Sequence, residues 1–317
     1  MTEITSPLRH EKYERLIEAA RKLPPLPTAV AHPCDETSLR GAIEAAEANL
    51  IKPILVGPRE KIEEVTRTFS LNLDEIEIVA APHSQAAAEK AVELVRTGKA
   101  ELLMKGGLHT DELLAEVVKR ETGIRTGRRI SHVFVMDVPG HPQTLFITDA
   151  AVNIAPDLMA KRDIIQNAID LYAGLGLGRP KVAILSAVET VTLSIPSTIE
   201  AGALCKMADR GQITGGDLDG PLAFDNAISP EAARIKGISS PVAGEANILV
   251  VPDLEAGNML AKNLTFLSNA DAAGIVLGAR VPIILTSRAD NVRTRMASCA
   301  VAALFRHSQI EKQPIQA

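Results

Sequence analysis

The chain is 317 residues long, enough for one large domain or about two ordinary ones. With a net charge of −5 and no Trp, it offers no basic tail and no aromatic-basic face for nucleic acid. No apolar run approaches the ~20 residues that span a bilayer, Met1–Arg21 has no apolar signal core, and the widely spaced Cys34, Cys205 and Cys299 form neither a disulfide framework nor a zinc pattern, which points to a reducing cytoplasm.

Plentiful Ala, Val, Ile and Leu with few aromatics suit an α/β core of aliphatic layers. Glu11–Leu23 has the apolar spacing of an amphipathic helix and stops at Pro24-Pro25-Leu26-Pro27. Strand and helix then alternate: Thr28–Ala31 and Glu36–Leu50, Pro53–Val56 and Arg59–Phe69, Glu75–Val79 and Ser84–Thr97, Glu101–Met104 and Thr110–Thr122. Such alternation with short links predicts a parallel sheet. At Ile130–Val138 the pattern changes. A second apolar run, Thr144–Ile147, follows across Gly140-His141-Pro142, and the pair predicts an antiparallel hairpin. A domain change is expected near Thr148.

Alternation resumes with a helix over Leu158–Leu175, a strand over Lys181–Ser186, and helices over Pro196–Arg210 and Ser229–Lys236, the last with Ser-Pro as cap and first turn. Ile248–Val251 and Pro282–Leu285 are short runs that stop at polar residues, each followed by a helical pattern. Both read as buried parallel strands. Ligands in open α/β sheets sit at the loops after strand ends, so Pro252–Lys262 and Thr286–Arg293 are expected to face one site. Met296–Phe305 closes the chain as a helix, and the tail after His307 is expected to fray.

Four loops bear on chemistry. Thr286-Ser287-Arg288-Ala289-Asp290-Asn291 leads into a helix N-terminus, which attracts phosphate through free N–H groups. Ser287 can donate to a phosphate oxygen and Arg288 can grip one bidentately. The alternative is that Asp290 or Asn291 only caps the helix and Arg288 is solvated. Gly123-Ile124-Arg125-Thr126-Gly127-Arg128-Arg129 is either a cationic clamp for a phosphoryl group or a solvated loop. In Lys105-Gly106-Gly107-Leu108-His109-Thr110 the glycines allow close backbone approach to an anion, or the stretch is a tight turn capped at Thr110. Gly215–Asp225 reads as a polar loop covering substrate. It lacks the spacing of a calcium loop, and no metal is expected. Gly174-Leu175-Gly176-Leu177-Gly178 follows a helix and precedes a strand, the reverse of a dinucleotide fingerprint, and reads as a helix stop.

In order and spacing these segments resemble the phosphate acetyltransferase/phosphate butyryltransferase family. The resemblance covers most of the chain. It is carried by Pro53-Ile54-Leu55-Val56-Gly57, Arg125-Thr126-Gly127-Arg128 leading into Ile130–Pro139, Thr148-Asp149-Ala150-Ala151-Val152-Asn153, Asp219–Ala227, Pro252–Lys262 and Ser287-Arg288. It implies two three-layer α/β/α domains with mostly parallel sheets and a cleft between them, like isocitrate and isopropylmalate dehydrogenases. The boundaries drawn on that basis are 1–148 with 286–317, and 149–285. A homodimer is also implied.

The implied reaction is acyl-CoA plus phosphate giving acyl phosphate plus CoA, with a butyryl or acetyl group and no cofactor, CoA being a substrate. The resemblance maps catalytic roles onto Ser287, Arg288 and Arg125. It places Lys105, Gly106, His109, Thr126, Asp253, Asn258 and Lys262 on the phosphate or CoA path. In the acetyl branch Ser-Arg is followed by Gly-Cys-Ser, and the carboxylate proposed to take the thiol proton falls here on Thr294. The run Ser287-Arg288-Ala289-Asp290 and the strand end Lys105-Gly106 look closer to the butyryl branch, which leaves Asp290 as the nearest base. Cys34, Cys205 and Cys299 read as packing residues. The competing readings are a metal- and nicotinamide-dependent dehydrogenase of similar fold and a non-catalytic acyl-CoA-binding homologue.

Overall fold

The computed structural model of the chain describes residues 10–286 and 290–311. Its first part is α1 (Glu11–Arg21), β1 (Leu26–Ala31), α2 (Glu36–Glu47), β2 (Ile51–Gly57), α3 (Arg59–Thr68), β3 (Glu77–Ala80), α4 (Ser84–Arg96), β4 (Leu102–Lys105) and α5 (Thr110–Val117). The hairpin β5 (Ser131–Asp137) and β6 (Leu145–Thr148) leads to α6 (Leu158–Gly174), β7 (Lys181–Leu185), α7 (Pro196–Asp209), β8 (Asp217–Leu222), α8 (Phe224–Ile228), α9 (Pro230–Ile235), β9 (Ile248–Val250) and α10 (Leu254–Leu267). The chain then forms β10 (Asp271–Leu277), β11 (Ile283–Leu285) and α11 (Val292–Glu311).

The strands join one sheet in the order β3-β2-β1-β4-β11-β10-β5-β6-β9-β7-β8. It is mostly parallel. The antiparallel pairs cluster at its middle, β11 with β10, β10 with β5 and β5 with β6. Two parallel halves therefore run in opposite directions and meet at β10 and β5.

Side chains alternate across a strand, so each strand feeds both faces. On one face a single core runs the width of the sheet: Val30, Val133, Phe146, Val182, Ile248, Ile275 and Ile284 pack under α1, α2, α6 and α11. The opposite face is divided. Ala29, Ala31, Leu103 and Ile283 belong to a core under α4 and α5. Met136, Ile147, Ala183 and Leu249 belong to another, under α8 and α10. Between these two cores the middle of the sheet is left uncovered by helices, and the candidate site lies there.

Helix starts follow the sequence. Asp35, Asp157, Ser229 and Asp253 each accept a hydrogen bond from a backbone N–H in the first turn of α2, α6, α9 and α10. α6 ends at Gly174, and Gly176 takes a positive φ of 72°, as the glycine stop requires. No helix among the described residues is long and apolar enough to cross a membrane.

Four expectations need correcting. β10 was not expected. Ala272, Ala273 and Gly274 have low strand propensity, but hydrogen bonding to β5 on one side and β11 on the other overrides it. Gly215–Asp225 is not a covering loop. Most of it is β8, the edge strand beside β7, whose register slips between Ala183 and Leu185, the stretch that Gly220 and Pro221 face. An edge bulge tolerates both residue types. α5 ends at Val117 instead of Thr122, and the chain turns back so tightly that a Cβ on Gly123 would lie 2.4 Å from the Val117 carbonyl oxygen. The α5 cap position is His109, not Thr110.

Candidate active site

The uncovered strip carries the inward side chains of two paired strands. His132 and Phe134 of β5 lie beside Val276 and Gly274 of β10, with Ala272 beyond. His132, Phe134, Ala272 and Gly274 floor a cavity of about 430 Å³ whose rim includes Lys105, His109, Thr110, Ala151, Thr286 and Asp290. The floor is apolar apart from His132. The rim is polar and brings together ends of β4, β6 and β11, so strand ends supply it as the fold class leads one to expect.

Several sequence-selected residues converge here. Lys105 ends β4, and its Nζ donates to the carbonyls of Gly106 and Leu108, each at 3.1 Å. His109 is exposed at the head of α5. Asp290 stands on the loop between β11 and α11. Ser287 and Arg288 lie outside the described residues. A Cβ on Gly106 would sit 2.3 Å from the Ala31 carbonyl oxygen, so the turn after β4 packs tightly on the β1–α2 connection.

Other selected residues stand apart from this cavity. Arg125 and Thr126 line a neighbouring cavity beside α5, with Leu114, Val118 and Asn153. Thr126 Oγ1 donates to the Gly278 carbonyl. Of the other two arginines in that loop, Arg128 pairs with Asp170, and Arg129 Nε donates to Asn153 Oδ1 at 2.8 Å. Asp253 is the α10 cap, accepting from Ala256 N at 2.9 Å. Asn258 donates to the Ala150 carbonyl at 3.3 Å and so braces the wall carrying Ala151. Lys262 is exposed one turn further along α10.

The cap question at the β11–α11 loop is settled by geometry. Asn291 Oδ1 accepts from Thr294 N at 2.8 Å and is the cap of α11. Thr294, the position of the acetyl-branch carboxylate, is buried at 4% exposure inside α11. The loop is anchored from behind the sheet. Asn291 Nδ2 donates to Asp271 Oδ1 at 2.9 Å, and the other oxygen of Asp271 takes Arg293 Nε and lies 3.1 Å from His10 Nδ1. Beside it Lys12 Nζ pairs with the fully buried Asp137 at 2.9 Å. Tyr13 OH bridges β5 and β10: it meets the Val135 carbonyl of β5 and, on β10, lies 3.0 Å from the Asp271 carbonyl and accepts from Ala273 N. Buried charge survives there because each group is paired.

The segment Thr148–Asn153 has a scaffolding role. Asp149 is buried and accepts from the backbone N–H groups of His132, Ala151, Val152 and Asn153, and from Asn153 Nδ2 at 2.6 Å. Thr148 Oγ1 donates to the His132 carbonyl at 2.8 Å. These bonds lock the backbone on which His132 sits.

Sequence reasoning missed the floor itself. His132, Phe134, Ala272 and Gly274 carry no motif. The usable signal was a glycine inside an apolar run and a histidine inside a strand. The His132 ring is 2% exposed, meets Phe134 edge-on with centroids 4.4 Å apart, and is held by burial at a pKa of about 4, with Asp149 opposing that shift. At neutral pH it is uncharged. Burial also pushes the Cys34 thiol up to about 11 and those of Cys205 and Cys299 up to about 12, which fits packing residues.

Residues 84–303 match the family described as phosphate acetyl/butaryl transferase. A phosphate acetyltransferase of Rhizobium meliloti is 74% identical over 299 residues, covering 94% of this chain and 95% of that one. A phosphate butyryltransferase of Clostridium beijerinckii is 42% identical over 294 residues, covering 93% and 97%. Among solved structures, a branched-chain phosphotransacylase from Enterococcus faecalis V583 superposes with a TM-score of 0.78 at 31% identity, covering 89% of this chain and 99% of that one.

Proposed function

The chain belongs to the phosphate acetyl/butyryl transferase family and is a phosphate acyltransferase acting on short acyl groups, and we propose that it prefers acetyl and works in the cavity floored by β5 and β10. The family displaces the dehydrogenase reading. The preference for acetyl is supported by the 74% identity to an acetyltransferase, against 42% to a butyryltransferase. This departs from the lean toward the butyryl branch that Ser287–Asp290 suggested.

The observation that carries the site assignment is the convergence, in one cavity, of a cation, a hydroxyl and a carboxylate over an apolar floor: Lys105, Thr286 and Asp290 above Phe134 and Ala272. The floor accommodates a short acyl chain. The rim accommodates a phosphate. In the acyl-phosphate-to-CoA direction Asp290 takes the thiol proton, since a thiol with pKa near 8.5 is mostly protonated at neutral pH. The thiolate sulfur attacks the acyl carbon, the carbon–oxygen bond to phosphate breaks, and phosphate leaves with the electron pair. Lys105 and Arg288 neutralise it, and Ser287 donates to a phosphate or carbonyl oxygen. Arg125 and Thr126, in the adjoining cavity, serve the extended CoA, as do Asn258 and Lys262. No covalent enzyme intermediate, metal or redox cofactor takes part. The enzyme works in the cytoplasm as a homodimer. The support for the dimer is the exposed apolar face of α10, where Met259, Phe266 and Leu267 are 66%, 76% and 76% exposed.

The test is phosphate-dependent thiol release from acetyl-CoA and butyryl-CoA. Release that needs phosphate (or arsenate) and favours acetyl-CoA is expected. Binding of acyl-CoA with no release would mean a non-catalytic homologue, and equal or better use of butyryl-CoA would overturn the acetyl preference.

A further inference from the structure

His132 is out of place in an otherwise apolar floor. Its Nδ1 is buried with no hydrogen-bond partner among the described residues. A neutral imidazole carries one N–H and one lone pair, and a buried polar group left unpaired destabilises the fold. The surroundings preserve the arrangement. Asp149 and Thr148 fix the His132 backbone, Phe134 fixes the ring plane, and Gly274 opens the space beside it. A Cβ on Gly274 would stand 3.0 Å from His132 Nε2 and 2.8 Å from the Leu285 carbonyl oxygen. Such a site costs stability unless a ligand completes it.

We propose that His132 is a further catalytic residue, whose neutral imidazole N–H donates to the carbonyl oxygen of the bound acyl group and holds that oxygen as negative charge develops on it. The inference rests on the acyltransferase reading above. The carbonyl is singled out by chemistry. Phosphate requires cations, and those are at the rim. The acyl chain goes to the apolar floor beside Phe134 and Ala272, which brings its carbonyl, the one polar atom at that end, within reach of the ring. Burial keeps the ring uncharged, so it polarises the carbonyl without handing over its proton, as a neutral histidine donor can. As the tetrahedral intermediate collapses in either direction the carbonyl reforms, and the imidazole ends with the proton it began with.

The experiment pairs kinetics with infrared spectroscopy of the full-length enzyme. His132→Phe is expected to lower kcat by about 100-fold or more, with KM for acetyl-CoA little changed. His132→Asn retains an N–H donor and is expected to recover part of the loss. In isotope-edited difference spectra, the carbonyl stretch of carbonyl-13C acetyl-CoA bound without phosphate is expected to shift to lower frequency in the wild type and to lose that shift in His132→Phe. A kcat within a few-fold of wild type for His132→Phe overturns the proposal, as does an unshifted carbonyl in the wild type. The wild-type spectrum decides alone should the substituted chain fail to fold. Wild-type thiol release, scored in the same samples, reports separately on the acyltransferase reading.

Discussion

Asp271 sits on the far side of the sheet from the cavity, yet it anchors Asn291 at the start of α11, next to Asp290 on the rim. Replacing it with alanine removes the acceptor for Asn291 Nδ2 at 2.9 Å and for Arg293 Nε, and the partner 3.1 Å from His10 Nδ1. Hydrogen bonds to a charged group are each worth roughly 1.5–3 kcal/mol. Arg293 is 42% exposed and regains water, so its share is discounted. The net loss is then about 2–4 kcal/mol, or about 3–6 °C in Tm for a chain of this size. Activity is expected to fall further than stability explains. The start of α11 loses its anchor, and misplacing reacting groups by about 1 Å can cost 100-fold in rate. Differential scanning fluorimetry reads the first effect, and thiol release at 25 °C, below the melting transition, reads the second. Asp271→Asn, which keeps one acceptor for Asn291, should lie between. An unchanged Tm in Asp271→Ala would refute the reasoning about the buried hub. A lowered Tm with wild-type kcat would refute the link between hub and loop.

Two further outcomes follow from the titratable groups that burial, full or partial, shifts. With its thiol pushed up to about 11, Cys34 is almost entirely protonated at pH 7.5, as are Cys205 and Cys299, so native enzyme should resist iodoacetamide while the denatured chain takes up three equivalents by mass spectrometry; fast native labelling of Cys34 would contradict this. His132 is lowered from 6.5 to about 4, so its stabilising effect is complete above pH 6.5 and is lost as pH falls toward 4, because the unfolded chain takes up the proton first. That single group amounts to about 1.4 kcal/mol per pH unit across the window. His32 and His141 are lowered too, also chiefly by burial, and add in the same direction. Urea unfolding of His132→Phe at pH 7 and pH 5 should show a smaller loss than wild type, and an equal loss would remove His132 from the acid-sensitive set.

How much of this was legible in the sequence depended on whether the signal was local. The βα units up to Met104 were readable because each strand is a short aliphatic run and each helix carries its own cap or stop, such as Asp35 before α2 and Gly57-Pro58 after β2. The hairpin was readable from Gly140 and the two runs that flank it. β10 was not, because nothing in Asp271–Leu277 says that two partner strands from distant parts of the chain will flank it. β8 was hidden for the opposite reason: Gly220 and Pro221 announce a loop, and only an edge position makes them tolerable in a strand. The site divided along the same line. Lys105 and Asp290 stand at strand ends and could be found by position. Asp253 caps α10 and Gly106 makes a tight turn, and caps and tight turns use the same residue types as ligand sites, so sequence could not separate the two roles. The floor residues are assembled by antiparallel pairing of β5 with β10, a nonlocal event without a sequence signature.

The claim at the centre is that the bare strip between the two cores is where acyl transfer occurs. Ala272 lies on that floor and is only partly covered. Ala272→Phe places a ring in open cavity instead of in packed core, so Tm should move little while the acyl site is filled. The measurement is phosphate-dependent CoA release from acetyl-CoA by wild type and by Ala272→Phe, side by side. Release by the wild type and near-complete loss in the folded variant is the expected result. A folded Ala272→Phe enzyme with wild-type turnover would contradict the assignment of the site.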